Sequence, residues 1–425
     1  MKKIIVLFLT LIISLIAKDY SLEECIAIGM EKNLDIIQRN LELQNSQLST
    51  KSTLSNFYDI GSSYNAGYNY SNTEVKVGDT DYKNNELTKL NHALALTLTG
   101  NLSLQLLDSY EISKLSEQYA LLNLEDQKDN LIVSITSAFY NVLLAKEDVG
   151  VQNENIKYNQ TQYEETKLRY ELGSLTKSEL LQAEVNLSNA KLSIISSEKR
   201  YDTSRQSLIN ILNIEENYKE FNPISSENAL VMEVPSIEEL VNIAMENRID
   251  IKNSSINLEQ SNLSLKSEYH GYLPGLNGSL GLNYGDTYDM DTEENTNSYG
   301  TTASIGLRWD LSYSDFNKKD MKAVALKKSE VAHQQVISKA KNEVINSYLE
   351  LMLQKENLES IDKHVELAKE NLDLANEMFR LGNKTITDQI KAVNDYISAK
   401  YKKIEARYNY MIDYAKLVNS VGKKF

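Results

Sequence analysis

Ser21-Leu22-Glu23-Glu24-Cys25-Ile26-Ala27-Ile28-Gly29-Met30-Glu31-Lys32-Asn33-Leu34-Asp35-Ile36 returns 215 positions later as Ser236-Ile237-Glu238-Glu239-Leu240-Val241-Asn242-Ile243-Ala244-Met245-Glu246-Asn247-Arg248-Ile249-Asp250-Ile251, with eight of 16 positions identical. A second pair lies further on at an offset of 209: Leu172-Gly173-Ser174-Leu175-Thr176-Lys177-Ser178-Glu179 and Leu381-Gly382-Asn383-Lys384-Thr385-Ile386-Thr387-Asp388. Ala183, Ala190 and Lys191 then match Ala392, Ala399 and Lys400. A period of this size is a duplicated domain-sized unit, not a solenoid repeat. The first copy spans residues 18–222 and the second 236–425, with a linker at 223–235 bracketed by Pro223 and Pro235.

Each copy opens with a capping signal. Ser21 and Ser236 precede Glu24 and Glu239 by three residues, the spacing that satisfies orphan amides at a helix start. A helix of about 35 residues is expected after each signal, ending where the hydrophobic period changes. The Gly- and Tyr-rich stretches 57–105 and 271–313 come next and hold 11 of the 16 glycines. The chain has only three prolines, and its aromatics are 26 Tyr, 7 Phe and 1 Trp. Ser312 to Leu381 contains neither Gly nor Pro, and Tyr110 to Leu172 contains only Gly150. Long uninterrupted helices follow, because Pro costs about 3 kcal/mol and Gly about 1 in a helix interior.

Within the Gly/Tyr stretches the period is two. Tyr64, Ala66, Tyr68 and Tyr70 alternate with Asn65, Gly67 and Asn69, and Leu94, Leu96 and Leu98 alternate with Ala95, Thr97 and Thr99. Leu276, Leu280, Leu282 and Tyr284 alternate with small or polar residues, as do Ile305, Leu307, Trp309 and Leu311. Pro274 marks a strand start, where a missing donor is tolerated. Ser71–Lys89 and Gly285–Ser298 read as exposed polar loops between paired strands. Four such strands could pack on a soluble core or face lipid on one side and water on the other. Arg308 and Asp310 on the non-apolar face need water, which favours the second reading. An open edge is not viable in lipid. Four strands cannot close a barrel, so a membrane reading requires a dimer with 8 strands or a trimer with 12.

The long helices carry seams. Leu358, Ile361, Val365, Ala368, Leu372, Ala375 and Phe379 are spaced by three and four, and the spacing resumes as Ile386, Ile390, Val393, Ile397, Tyr401, Ile404, Tyr408, Met411, Ala415 and Val418. Two seams joined by a short Gly-containing turn make an antiparallel helical hairpin. The Leu172–Leu175 turn repeats the design. A 60-residue helix is about 90 Å long, so two shorter helices end to end could run beside each long one.

Other classes fall away. The net charge of −15 argues against nucleic acid as a partner. A single Cys, Cys25, excludes a disulfide framework and a Cys-based zinc site. His92, His270, His333 and His364 are scattered, with no metal-ligand spacing, and no phosphate loop or paired nucleophile is present. No enzymatic activity, cofactor or metal is therefore expected. Lys2 and Lys3 followed by the apolar run Ile4–Ile16 read as a secretory signal over residues 1–17.

Together these features resemble the outer membrane efflux protein family, the TolC-like channels. The likeness rests on the Ser-Leu-Glu-Glu opening and its second copy at Ser236, the Tyr/Gly strands, and the twin Leu-Gly turns followed by an acid. It implies a mainly α fold with a small β part: duplicated units of long coiled-coil helices, each with two membrane strands. It further implies a homotrimer whose 12-stranded β-barrel in the outer membrane joins an α-helical barrel in the periplasm. Such a duct serves efflux pumps, multidrug efflux among them, or type I secretion. Its partners are a periplasmic adaptor (membrane fusion) protein, an inner-membrane pump or ABC exporter, and outer membrane lipid.

The resemblance also implies roles for residues. Leu172, Gly173, Ser174, Leu175, Leu381, Gly382 and Asn383 would be adaptor-facing tips at the periplasmic entrance. Asp388 matches an acid of the family's constriction, whereas Lys391 stands where a second acid is usual. Lys384 matches a basic residue that ties neighbouring hairpins together, with Thr176 and Glu179 in its partner region. Phe379 stands where a Tyr is usual, so one gating hydrogen bond is missing. A periplasmic coiled-coil adaptor or structural rod is the alternative, but neither explains four lipid-length strands. Extraction separates the two: the channel reading predicts a membrane-bound protein that needs detergent, and a protein that stays soluble and monomeric without it would exclude that reading.

Overall fold

The computed structural model describes residues 18–77, 81–224, 232–309 and 313–423. The expected signal peptide 1–17, linker residues 225–231, and Asp310 and Leu311 lie outside them. The described residues form six strands and eight helices, in an order that occurs twice. The first copy runs β1 (Lys18–Tyr20), α1 (Leu22–Lys32), α2 (Leu34–Ser55), β2 (Tyr58–Val77), β3 (Asp81–Leu102), α3 (Leu104–Glu171) and α4 (Lys177–Leu212). The second runs β4 (Phe221–Pro223), α5 (Ile237–Asn247), α6 (Ile249–His270), β5 (Gly275–Asp289), β6 (Glu294–Arg308), α7 (Tyr313–Arg380) and α8 (Ile386–Val421). Corresponding helices have equal lengths: 11, 22, 68 and 36 residues.

The single helix expected before each strand pair is in fact two, and the breaks explain themselves. Asn33 and Arg248 adopt extended backbone, with ψ of 129° and 130°. Asn33 Oδ1 accepts from the amides of Asp35 and Ile36, so it ends one helix and starts the next. Its Nδ2 donates to the Ile211 carbonyl at 2.9 Å. Arg248, the matching residue, donates from Nη1 to the Ser420 carbonyl at 2.6 Å, and its Nε and Nη2 bind the Asp250 carboxylate. Ile211 and Ser420 are themselves equivalent, so different side chains make the same tether in both copies.

The chain divides into two compact units, one holding residues up to 40, 122–252 and 335 onward, the other 41–121 and 253–334. In the first, β1 and β4 pair in parallel, and Tyr20 hydrogen-bonds the Glu216 carboxylate. Cys25 is fully buried in α1, and burial pushes its thiol up to about 12. Ser21 and Glu24 form the full expected capping box, with bonds of 3.2 and 2.9 Å. At Ser236 only the hydroxyl half is present, accepting from the Glu239 amide.

The second unit carries an antiparallel sheet in the order β2-β3-β5-β6. The polar loops are much shorter than expected, because strand pairing continues into them: β2 reaches Val77, β3 starts at Asp81, and only residues 290–293 separate β5 from β6. Register puts Ile60, Leu98, Leu280 and Ala303 in one row across the sheet. Tyr64, Leu94, Tyr284 and Tyr299 form another. This face is unfilled: Ile60 is 68% exposed, Tyr64 64%, Tyr299 80% and Ile305 80%. The opposite face carries Gly, Ser, Thr and Asn.

Apolar rows run from Leu102–Leu276–Leu307 to the Tyr64 row, eight residues along β3. That is about 27 Å along the strand, or about 20 Å normal to a bilayer at the usual tilt of about 40°. The next row, Ala66–His92–Asp286–Asn297, turns polar, and Tyr64 Oη bonds His92 Nδ1 at 2.9 Å across it. At the other end Trp309 donates its ring N–H to the Tyr272 carbonyl at 3.0 Å. Tyr-rich rows thus lie at one end of the apolar band and Trp309 at the other, a distribution that aromatic side chains adopt at membrane interfaces.

The two copies differ instructively in their cores. A Cβ on Gly29 would lie 2.4 Å from Ile135 Cδ1. The matching positions in the second copy are Ala244 and Val344, both fully buried, so a methyl has moved from one partner to the other. Gly29→Ala is expected to cost about 1–3 kcal/mol through overpacking. The double change Gly29→Ala with Ile135→Val should recover most of it, measured by thermal unfolding in detergent. No recovery would contradict the volume argument.

Candidate functional site at the helical tips

Two hairpin turns, α3 to α4 and α7 to α8, lie in the first unit and are near copies. Gly173 and Gly382 have φ of +75° and +77°, a conformation cheap only for glycine. In each, paired backbone bonds close the helix end: Gly173 N–H to Tyr170 O and Ser174 N–H to Arg169 O, then Gly382 N–H to Phe379 O and Asn383 N–H to Met378 O. Leu172 and Leu381 stand 75% and 70% exposed at the two apices.

The next helix of each hairpin starts on a capping box. Glu179 N–H donates to Thr176 Oγ1 at 3.3 Å, and Thr176 N–H donates to Glu179 Oε2 at 2.7 Å. Thr385 and Asp388 repeat this at 3.3 and 3.1 Å. Both threonine hydroxyls also donate to their carboxylates, at 2.8 and 2.7 Å. Three residues singled out from sequence, Thr176, Glu179 and Asp388, are therefore engaged locally in shaping the turn. The Thr385 hydroxyl and backbone N–H hold the Asp388 carboxyl below the usual carboxylate range, with Lys384 and Lys391 adding to the effect. Lys384 and Lys391 thus both act on one acid, Asp388. Leu175 packs against the apolar cluster under the tips, and Ser174 Oγ donates to the Arg169 carbonyl at 2.9 Å.

Phe379 is buried at 3% exposure in that cluster with Ala183 and Ile386, backed by Tyr163, Leu175 and Ile390. A larger cluster further from the turns joins Val151, Leu372, Ala375, Ala392, Val393, Tyr396 and Ile397. The heptad seam of α7 and α8 is thus largely the core of this region. Gln389 is its buried polar member: it accepts from Gln162 at 2.9 Å and donates to Asn376 at 2.7 Å.

Sequence reading missed Arg169. Its guanidinium reaches from α3 to the end of α7, donating to the Phe379 carbonyl at 3.1 Å and the Arg380 carbonyl at 3.3 Å. Nη2 also bonds Glu165 at 3.1 Å, and the guanidinium lies 4.9 Å from the Phe379 ring centroid. Glu165 and Arg169 look like an ordinary exposed i,i+4 pair in a mixed-charge run. The one available signal is that the equivalent position in the second copy is Met378.

With its helices, strands and tips duplicated in this way, the chain has the fold of an outer-membrane channel. It is similar to the crystal structure of the Campylobacter jejuni CmeC outer membrane channel, with a TM-score of 0.81 and 15% identity, covering 94% of this chain and 85% of that one. It is similar also to the outer membrane protein VceC from Vibrio cholerae, at 0.78 and 12%, covering 95% and 96%. The open state of the Neisseria gonorrhoeae MtrE outer membrane channel matches at 0.73 and 17%, covering 95% and 89%. No curated protein sequence matches the chain significantly. The profile described as "Outer membrane efflux protein" matches residues 34–213 and 240–423, and the chain belongs to that family.

The second-tip capping box makes a specific prediction. Thr385→Ala removes the N-cap, a loss of about 1 kcal/mol for a typical cap, and should speed hydrogen exchange at residues 383–389. The Asp388 pKa is lowered by folding, so its contribution is present above the unfolded value and is lost as pH falls through the folded one. The difference between Thr385→Ala and wild type should hold at pH 7 and pH 5 and shrink in stronger acid. Equal exchange rates at pH 7 would contradict the assignment.

Proposed function

We propose that the chain is one third of a trimeric exit duct, exported by residues 1–17 and inserted in the outer membrane through its four strands. The observation that carries this reading is the sheet: one face of exposed Leu, Ile and Tyr, one face of small polar residues, and edges at β2 and β6 that have no strand partner among the described residues. Exposed apolar area of this extent marks a membrane or protein contact. Three copies pairing β6 of one with β2 of the next would close 12 strands with water inside and lipid outside.

Two TolC-like repeats, 18–222 and 236–425 joined by 223–235, supply the helices of the periplasmic portion. The tips at Leu172–Leu175 and Leu381–Asn383 form the entrance and meet an adaptor protein, which links the duct to an inner-membrane pump or ABC exporter. Lys384 of one chain approaches Thr176 or Glu179 of the next and helps to hold the entrance shut, while Asp388 and Lys391 set the charge of the constriction. Phe379 contributes by packing. The charged tips and the buried seam support this reading, because a closed end built from polar contacts can part in water at low cost.

Planar bilayers test the function. Purified protein should form channels, and Lys384→Ala with Glu179→Ala should raise single-channel conductance several-fold. A protein that forms no channels would overturn the duct, and unchanged conductance in the double variant would overturn the gate residues.

A further inference from the structure

The contacts that Arg169 makes point to a role that the duplicated pattern conceals. Along α3, Asn155, Asn159, Gln162 and Thr166 are spaced by four, three and four and all are at most 9% exposed, and Gln162 bonds Gln389 of the other hairpin. Arg169 follows three residues later and continues the seam. A seam of this spacing is normally apolar; here four buried polar residues stand beside the apolar contacts of Val151, Tyr158 and Tyr163. Asn159 spends its amide on Asn155, and Thr166 Oγ1 is buried without a hydrogen-bond partner. Polar groups like these exchange protein partners for water at small net cost. The apolar contribution near the turns is the small cluster of Ala183, Phe379 and Ile386, with Tyr163, Leu175 and Ile390 packed against it. The two hairpins of one chain are therefore held where they end by one small apolar cluster and by polar contacts.

Arg169 stands at that end and crosses the gap. Its fork donates to two carbonyls at the α7 C-terminus, that of Arg380 and that of Phe379, which also accepts from Gly382 N–H. A cation is also favoured there by the helix dipole. The Phe379 ring lies against the guanidinium, and Glu165 orients it while also lying 3.9 Å from Arg380 Nε. Phe379 has no hydroxyl, so its side chain offers a ring face to the other hairpin and no donor. Met378, the second-copy counterpart of Arg169, cannot make the reciprocal link.

We propose that Arg169 is the intrachain latch of this protein, a positioning residue that holds the α7–α8 tip against the α3–α4 tip. The proposal rests on the duct reading for its functional consequence, but the latch itself is a property of one chain. Lysine cannot replace it fully, because an ammonium lacks the planar fork that serves two carbonyls and a ring together.

The test places spin labels on Ser174→Cys and Asn383→Cys in a Cys25→Ser background, diluted with unlabelled chains so that one labelled chain is read per assembly. Wild type should give one short tip-to-tip distance. Arg169→Gln should raise the population at longer distance about tenfold to a hundredfold, as expected for loss of charge-assisted bonds. Arg169→Lys should fall between them. Distance distributions identical to wild type in both variants would overturn the latch. Should Arg169→Gln lose helical circular dichroism, Arg169→Lys decides alone, since it keeps charge and stem. Conductance of the same proteins separates the two claims: absence of channels in wild type overturns the duct, while the distances still decide the latch.

Discussion

The constraint on which the structure turns is the backbone of two strands. Among the described residues, β2 and β6 each pair on one side only, and one face of each carries Leu, Ile or Tyr left exposed. In water such a surface would aggregate; in lipid each unpaired N–H and C=O would cost several kcal/mol. In the proposed duct, pairing with further copies of the same sheet would satisfy both edges, and lipid would cover the apolar face. Duplication matters for the same reason: the β3–β5 pairing joins the two copies inside one chain, leaving only two edges for other chains to meet.

Much of this could be read from the residues. The capping signals at Ser21 and Ser236, the strand alternation around Tyr64 and Leu280, and the Gly-containing turns at Gly173 and Gly382 use chemistry that is local in sequence. Long-range effects hid the rest. Asn33 and Arg248 do not resemble each other, and their shared role emerges only from the Ile211 and Ser420 carbonyls they tether. The hairpin strands run on through polar residues because pairing, not hydrophobicity, extends them. Asn155, Asn159, Gln162 and Thr166 carry no local signal that tells a buried polar seam from an exposed one. The gate residues inferred by resemblance lie where the tips are, and the structure adds that Thr176, Glu179 and Asp388 are committed to capping boxes.

The two copies have kept their helix lengths while dividing their tasks. Gly29 with Ile135 and Ala244 with Val344 fill equivalent space by different means. The α7–α8 seam is mostly apolar, whereas α3 buries four polar residues beside Val151, Tyr158 and Tyr163. If the tips close the proposed duct, buried polar contacts there suit an end that yields without unfolding, because water replaces the hydrogen bonds broken on parting.

The number of chains in the native assembly tests the central claim most directly. Native mass spectrometry of the protein released from detergent micelles should show a single species of three chains. A monodisperse monomer, with the apolar sheet face and both edges left uncovered, would contradict the account.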